Sequence, residues 1–152
     1  PGIVVALALV FFGANFATPL YQSVAMLIFA YMLLFLPQAV SVTRACLLQV
    51  SPRLEEAARG LGHSLAGVLI QIVIPLVWKG LLAGSALVFL TVMKELPATL
   101  LLSPIEFQTL AMEVWSAASE GFFARAAAPA LMLIVLSSIP MILIVLRERR
   151  PE

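Results

Sequence analysis

Side chains able to do chemistry are few in this sequence. All eight acidic residues are Glu, His63 is the one histidine and Cys46 the one cysteine. One imidazole cannot supply a nucleophile, its base and an orienting group, so hydrolysis has no support. The same scarcity argues against a metal centre built from this chain, and a lone thiol forms no internal disulfide. Nothing reads Gly-x4-Gly-Lys-[Ser/Thr], so no phosphate cradle is encoded. Two groups remain. The first is a polar stretch at 51–64, Ser51-Pro52-Arg53-Leu54-Glu55-Glu56-Ala57-Ala58-Arg59-Gly60-Leu61-Gly62-His63-Ser64. The second is Lys94-Glu95, directly after an apolar run and followed by Thr99. Ionisable residues at a membrane boundary are functional candidates, which makes Glu95, with the polar Thr99 four residues on, a candidate to line a substrate path. The competing reading is a charged pair held at headgroup depth.

The elements that must position these groups follow from composition. Of 152 residues, 62% are hydrophobic and 11% charged, with mean hydropathy +1.10. A soluble domain carries roughly 45–50% apolar and about 25% charged residues. Disorder requires low hydrophobicity and high charge, the reverse of what is seen. Net charge is +1, with no basic block outside the C-terminal tail, so nucleic acid is not an expected partner. An all-α integral membrane protein in contact with lipid is the expected class. Residues 1–43 hold no Asp, Glu, Lys, Arg or His, about twice the roughly 20 residues that one crossing of a core of about 30 Å needs. Asn15, Thr18 and Pro19 break this run, giving expected spans near 3–16 and 20–43, with Pro37 inside the second. Two more are expected near 75–93 and 126–146, about four in all. The chain begins Pro1-Gly2 and is apolar from Ile3, and it reads as the C-terminal part of a longer polypeptide.

Basic residues set the expected orientation. Arg44, Arg53 and Arg59 lie between the second and third spans, and Arg147, Arg149 and Arg150 follow the fourth. Segment 94–125 carries Glu95, Glu106, Glu113 and Glu120 against only Lys94 and Arg125. The positive-inside rule then places 44–74 and the C-terminus in the cytoplasm, and 94–125 outside. Within 51–64, Ser51 and Pro52 make a helix start, and Leu54, Ala57, Ala58 and Leu61 form one apolar stripe. Gly60 and Gly62 offer the positive φ that ends a helix, and Ser64 can cap the next. A helix this short needs its stripe buried, either on the protein's own surface or in a partner's groove. Outside, 106–120 reads as an amphipathic helix with Trp115 as an interfacial anchor or with its acidic face at a docking surface. Gly80 and Gly84 form a small-xxx-small pair suited to close helix packing.

Glu56-Ala57-Ala58, three residues, Gly62, nine residues, then Ile72-Val73-Ile74-Pro75 resembles the EAA motif of binding-protein-dependent ABC transporter permeases. That pattern is Glu-Ala-Ala, x3, Gly, x9, Ile-x-Leu-Pro, and the sole departure is Ile74 in place of Leu. The resemblance implies that loop 51–67 is a coupling helix docking into a cleft of an ATPase subunit, through Glu56, Ala57, Ala58, Gly62, Ile72 and Pro75. Farther on, Lys94-Glu95-Leu96-Pro97-Ala98-Thr99, Thr109-Leu110-Ala111, Trp115, Ser119-Glu120-Gly121 and Pro129-Ala130-Leu131 are similar to the C-terminal part of ferric-iron-type permeases. Permeases for thiamine and phosphonates share parts of this. The resemblance therefore implies a C-terminal fragment of an importer's transmembrane domain, in a bacterial inner membrane. It implies an ABC ATPase that binds the ATP, a periplasmic or extracellular solute-binding protein and a second permease half as partners, with no cofactor in this chain. A membrane scaffold using 51–64 for a cytosolic partner is the rival reading, and it predicts no effect on a partner's ATP hydrolysis.

Overall fold

The computed structural model describes residues 2–148, which places Arg149 and Arg150 of the expected cytoplasmic tail outside the described residues. Among these residues all regular structure is helical: α1 (Gly2–Phe16), a 3₁₀ turn (Thr18–Leu20), α2 (Val24–Leu47), α3 (Pro52–Gly60) and α4 (Leu65–Val68). A π-helical turn (Leu69–Val73) then joins α4 to α5 (Ile74–Met93), followed by α6 (Pro97–Leu102), α7 (Leu110–Ser119) and α8 (Phe123–Glu148).

Three stretches are long and apolar enough to cross a membrane: Val24–Leu47, the continuous helix Leu65–Met93, and Phe123–Ile142. The first expected span, near 3–16, is an apolar helix of 15 residues, about 22 Å long at 1.5 Å per residue and short of a full crossing. The second span starts four residues later than expected, at Val24 instead of near 20. Thr18-Pro19-Leu20 close a tight turn first, and the Ser23 hydroxyl then accepts the Met26 N–H at 3.2 Å. The expected amphipathic helix likewise starts at Leu110 and not at 106. Pro104–Phe107 turns back on itself (Phe107 N–H to Pro104 carbonyl, 3.0 Å), and Thr109 caps by accepting from Met112 N–H at 3.3 Å.

The chain divides into two compact units, Pro37–Val88 and the residues on either side of it. In the flanking unit, Ala6 and Leu9 of α1, Met26, Leu27 and Ala30 of α2, and Ala98 and Leu102 of α6 form the core. Buried Ala6, Leu9 and Gly13 fall at i, i+3 and i+7, one face of α1. A Cβ on Gly13 would lie 3.0 Å from Met26 Cε and 3.3 Å from the Tyr21 ring, so glycine here lets α1 close on α2. Helices α7 and α8 pack together through a turn at Gly121, whose φ is +80°. Phe122 N–H reaches Ala117 carbonyl and Gly121 N–H reaches Ala118 carbonyl, a Schellman closure.

In the unit Pro37–Val88, Cys46 and Val50 pack with Ala58, Val68, Val73 and Val77. Gly80 and Gly84 do bring two helices close, as their spacing suggests. A Cβ on Gly80 would sit 2.7 Å from Cys46 Sγ, and one on Gly84 would collide with Val42 Cγ1.

Polar side chains within the spans bond back to their own helices. Asn15 Nδ2 donates to Phe11 carbonyl, Thr43 Oγ1 to Ala39, Ser85 Oγ to Leu82, Ser137 Oγ to Leu133 and Ser138 Oγ to Val135, at 2.7–2.9 Å. This is how hydroxyls and amides are satisfied where water is absent.

Candidate functional site

The stretch 51–64 folds as its residues suggest. Ser51 has the extended backbone of an N-cap and Pro52 opens α3, although the Ser51 side chain makes no cap bond. Glu55 stands in the first turn and Arg59 in the last, each on the end of the helix that its charge favours. Closure depends on Gly62 alone, with φ +90°; Gly60 stays helical. His63 N–H donates to Ala58 carbonyl at 3.2 Å and Gly62 N–H to Arg59 carbonyl at 3.0 Å, a second Schellman motif. Ser64 then caps α4 by accepting from Gly67 N–H at 3.2 Å.

Burial divides the apolar stripe of α3. Ala58 is 5% exposed and belongs to the core, whereas Leu54 is 47% and Leu61 83% exposed, with Ala57 exposed beside them. Glu55, Glu56, Arg53 and Arg59 are exposed as well. One methyl group therefore anchors the helix, and the rest of its apolar face is open. Of the remaining motif residues, Gly62 and Pro75 are exposed and Ile72 is half-buried against the core. All six lie in the unit Pro37–Val88, where the fold brings Ala58 and Ile72 together around the same valines.

Glu95 and Thr99 sit in the other unit, at the break between α5 and α6. Glu95 is half-buried and its Oε1 accepts the Ala98 N–H at 3.2 Å, closing the first turn of α6. The same carboxylate lies against Gly2, where a Cβ would come within 2.9 Å of it. Thr99 is fully buried, and its hydroxyl donates to Glu95 carbonyl at 2.7 Å. That leaves Tyr31 as donor in the 2.5 Å contact between the Tyr31 and Thr99 hydroxyls. Sequence reasoning missed Tyr31, because nothing near it in the chain marks a partner 68 positions away. It missed α6 too, although Pro97 at the first helical position was a usable signal. Farther along, Glu106, Glu113 and Glu120 are exposed, with Trp115 54% and Phe123 73% exposed near them in the chain.

A family model described as the binding-protein-dependent transport system inner membrane component matches residues 1–152. The chain belongs to this family. Among curated relatives, this permease segment is 41% identical over 144 residues to the Fe(3+)-transport system permease protein FbpB 2 of Haemophilus influenzae, covering 95% of the chain and 28% of the relative. It is 32% identical over 103 residues to a probable molybdenum ABC transporter permease protein of Haloferax volcanii, covering 68% of the chain and 38% of that relative. The segment thus spans about a third of the length of the curated relatives it matches. It is a multi-pass inner-membrane transport component, all-helical over its described residues.

Proposed function

We propose that the chain is part of the permease subunit of an ATP-driven importer, with ferric iron as the transported solute. The observation that carries the reading is the open stripe of α3. A nine-residue helix with one buried methyl, and with Leu61 83% exposed at its C-cap, is a protruding knob, the shape a partner's groove takes up. Loop 51–67 is the contact for a separate ATPase subunit that binds the ATP; the exposed Glu56, Ala57, Gly62 and Pro75 face that subunit, while Ala58 and Ile72 tie the knob to α5. In this reading 44–74 and the C-terminus are cytoplasmic. The acidic segment 94–125 lies outside, where a solute-binding protein docks, and a second permease half completes the pathway. The chain itself holds no nucleotide and no cofactor.

Ferric iron is supported by the greater identity to the relative whose name carries Fe(3+). Glu95 and Thr99 contribute to the path by fixing the α5–α6 break, with the Glu95 carboxylate as the partly open group.

The test is a detergent pull-down of the full-length permease, wild type beside Glu56→Lys, with ATPase activity measured in the eluate. Co-purifying activity that the substitution abolishes is the expected result. Equal recovery from both removes Glu56 from the contact, and a folded wild type that brings no ATPase sinks the coupling role and returns the weight to a scaffold. Uptake of radiolabelled ferric iron, with molybdate as competitor, decides the solute: competition by molybdate overturns the ferric reading.

A further inference from the structure

The helix that leads from the coupling loop into the third apolar span is not a regular α-helix. Between Val68 and Ile74 it opens into a π turn, in which Ile74 N–H reaches Leu69 carbonyl. The next residue is Pro75, which has no N–H to donate, so a carbonyl one turn back loses a partner as well. Irregular backbone hydrogen bonding is thus concentrated in residues 69–75, between the EAA loop and the span.

Burial shows what the turn accomplishes. Val68, Val73 and Val77 are 3%, 3% and 6% exposed and pack in one core with Ala58, Cys46 and Val50. At about 100° per residue, five residues of α-helix would set Val68 and Val73 about 140° apart, on different faces. A turn closed by i→i+5 bonds absorbs the extra residue and returns both to one face. From Val73 onward the face continues at α-helical spacing through Val77 to Gly84, both buried. Leu69 and Ile70 on the outside of the turn are 49% and 64% exposed, and Gln71 is exposed beside them. The turn is gripped on one side by valines and is open on the other.

We propose that Leu69–Val73 is a compliant joint, at which the coupling segment swivels against α5 while the valine face stays packed. Pi turns within α-helices are local departures from the regular ladder and occur often at functional sites, and a ladder with missing rungs bends at lower cost than an intact one. Movement imposed on α3 is transmitted through Ala58 and the shared core, and the joint sets where the helix yields. This inference rests on the coupling-loop reading above.

Two measurements on the full-length permease with its ATPase subunit, in lipid nanodiscs, test it. In wild type, amide hydrogen exchange at 69–74 is expected to be about tenfold or more faster than in the following turns of α5, and to change when ATP binds. Protection equal to those turns, or indifferent to nucleotide, overturns the joint. Second, deletion of Gln71 places Val68, Val73 and Val77 at i, i+4 and i+8 of one α-helical register, keeping the buried face and Pro75 but removing the π turn. The deletion is expected to retain the ATPase subunit and lose about tenfold or more of uptake, whereas Gln71→Ala, which keeps the residue count, transports normally. Wild-type uptake from the deletion overturns the proposal. If the deletion fails to assemble, the exchange data on wild type decide. Failure of the wild type to bind the ATPase would strike the coupling-loop reading instead, so the two can be told apart.

Discussion

Leu61→Ala is the substitution whose effect can be worked out most directly. The side chain is 83% exposed on the permease segment, so its apolar surface is almost wholly available to a partner. Truncation to Ala removes three carbons at about 0.8 kcal/mol each when buried, and scaling by the exposed fraction gives about 2 kcal/mol. That is an approximately thirtyfold weaker dissociation constant for the ATPase subunit. Leu54, at 47% exposure, scales to about 1.1 kcal/mol, or roughly sixfold. Titration of labelled ATPase subunit onto nanodisc-embedded permease reads both. Because neither side chain is deeply buried, the thermal midpoint of the permease alone should hardly move. Unchanged affinity for Leu61→Ala with an unchanged midpoint would refute the reasoning. So would an effect of Leu54→Ala larger than that of Leu61→Ala, since the order follows from exposure.

Gly84→Leu should prevent assembly of a stable permease, because even a Cβ collides with Val42, and size-exclusion chromatography in detergent would show aggregated or depleted protein. Gly62→Ala forces an L-residue to φ +90°, costing about 1–2 kcal/mol at the turn, and should lower ATPase co-purification more than Gly60→Ala does at the helical glycine nearby. For Tyr31→Phe and Thr99→Val, a double-mutant cycle in mixed micelles should give a coupling of about 0.6–1.7 kcal/mol, and additive penalties would deny the hydrogen bond between them.

How much was legible in the sequence depended on the kind of signal. The uncharged run at 1–43 announced membrane helices because charge in a bilayer is costly, and Pro19 marked the break because proline punctuates any period. Gly62 and Ser64 were readable as a turn and a cap because their conformational roles are local. The π turn at Leu69–Val73 was not readable. Its neighbourhood is apolar on every side, so no contrast between faces exposes the extra residue, and only the spacing of the buried valines does. The start of α2 slipped for a related reason: Gln22 takes a positive φ of 53°, a conformation that its residue type does not advertise. Tyr31 was hidden because its partner Thr99 is distant in the chain. The open stripe of α3 required a burial measurement, since an apolar stripe looks the same in sequence whether or not something covers it.

The back-bonded polar side chains of the spans have a consequence of their own. A hydroxyl whose proton is committed to a carbonyl on its own helix keeps only its lone pairs for the surroundings. Thr43, Ser85, Ser137 and Ser138 all spend their one proton in this way, and the first two are exposed, whereas Asn15 keeps a second amide N–H. What these four hydroxyls offer a neighbour is therefore of one polarity, electron-pair sites with no proton to give. A neighbouring helix that bonds to one of them must bring the donor. An anion finds no proton at these hydroxyls, whereas a cation can exchange a water oxygen for a hydroxyl oxygen.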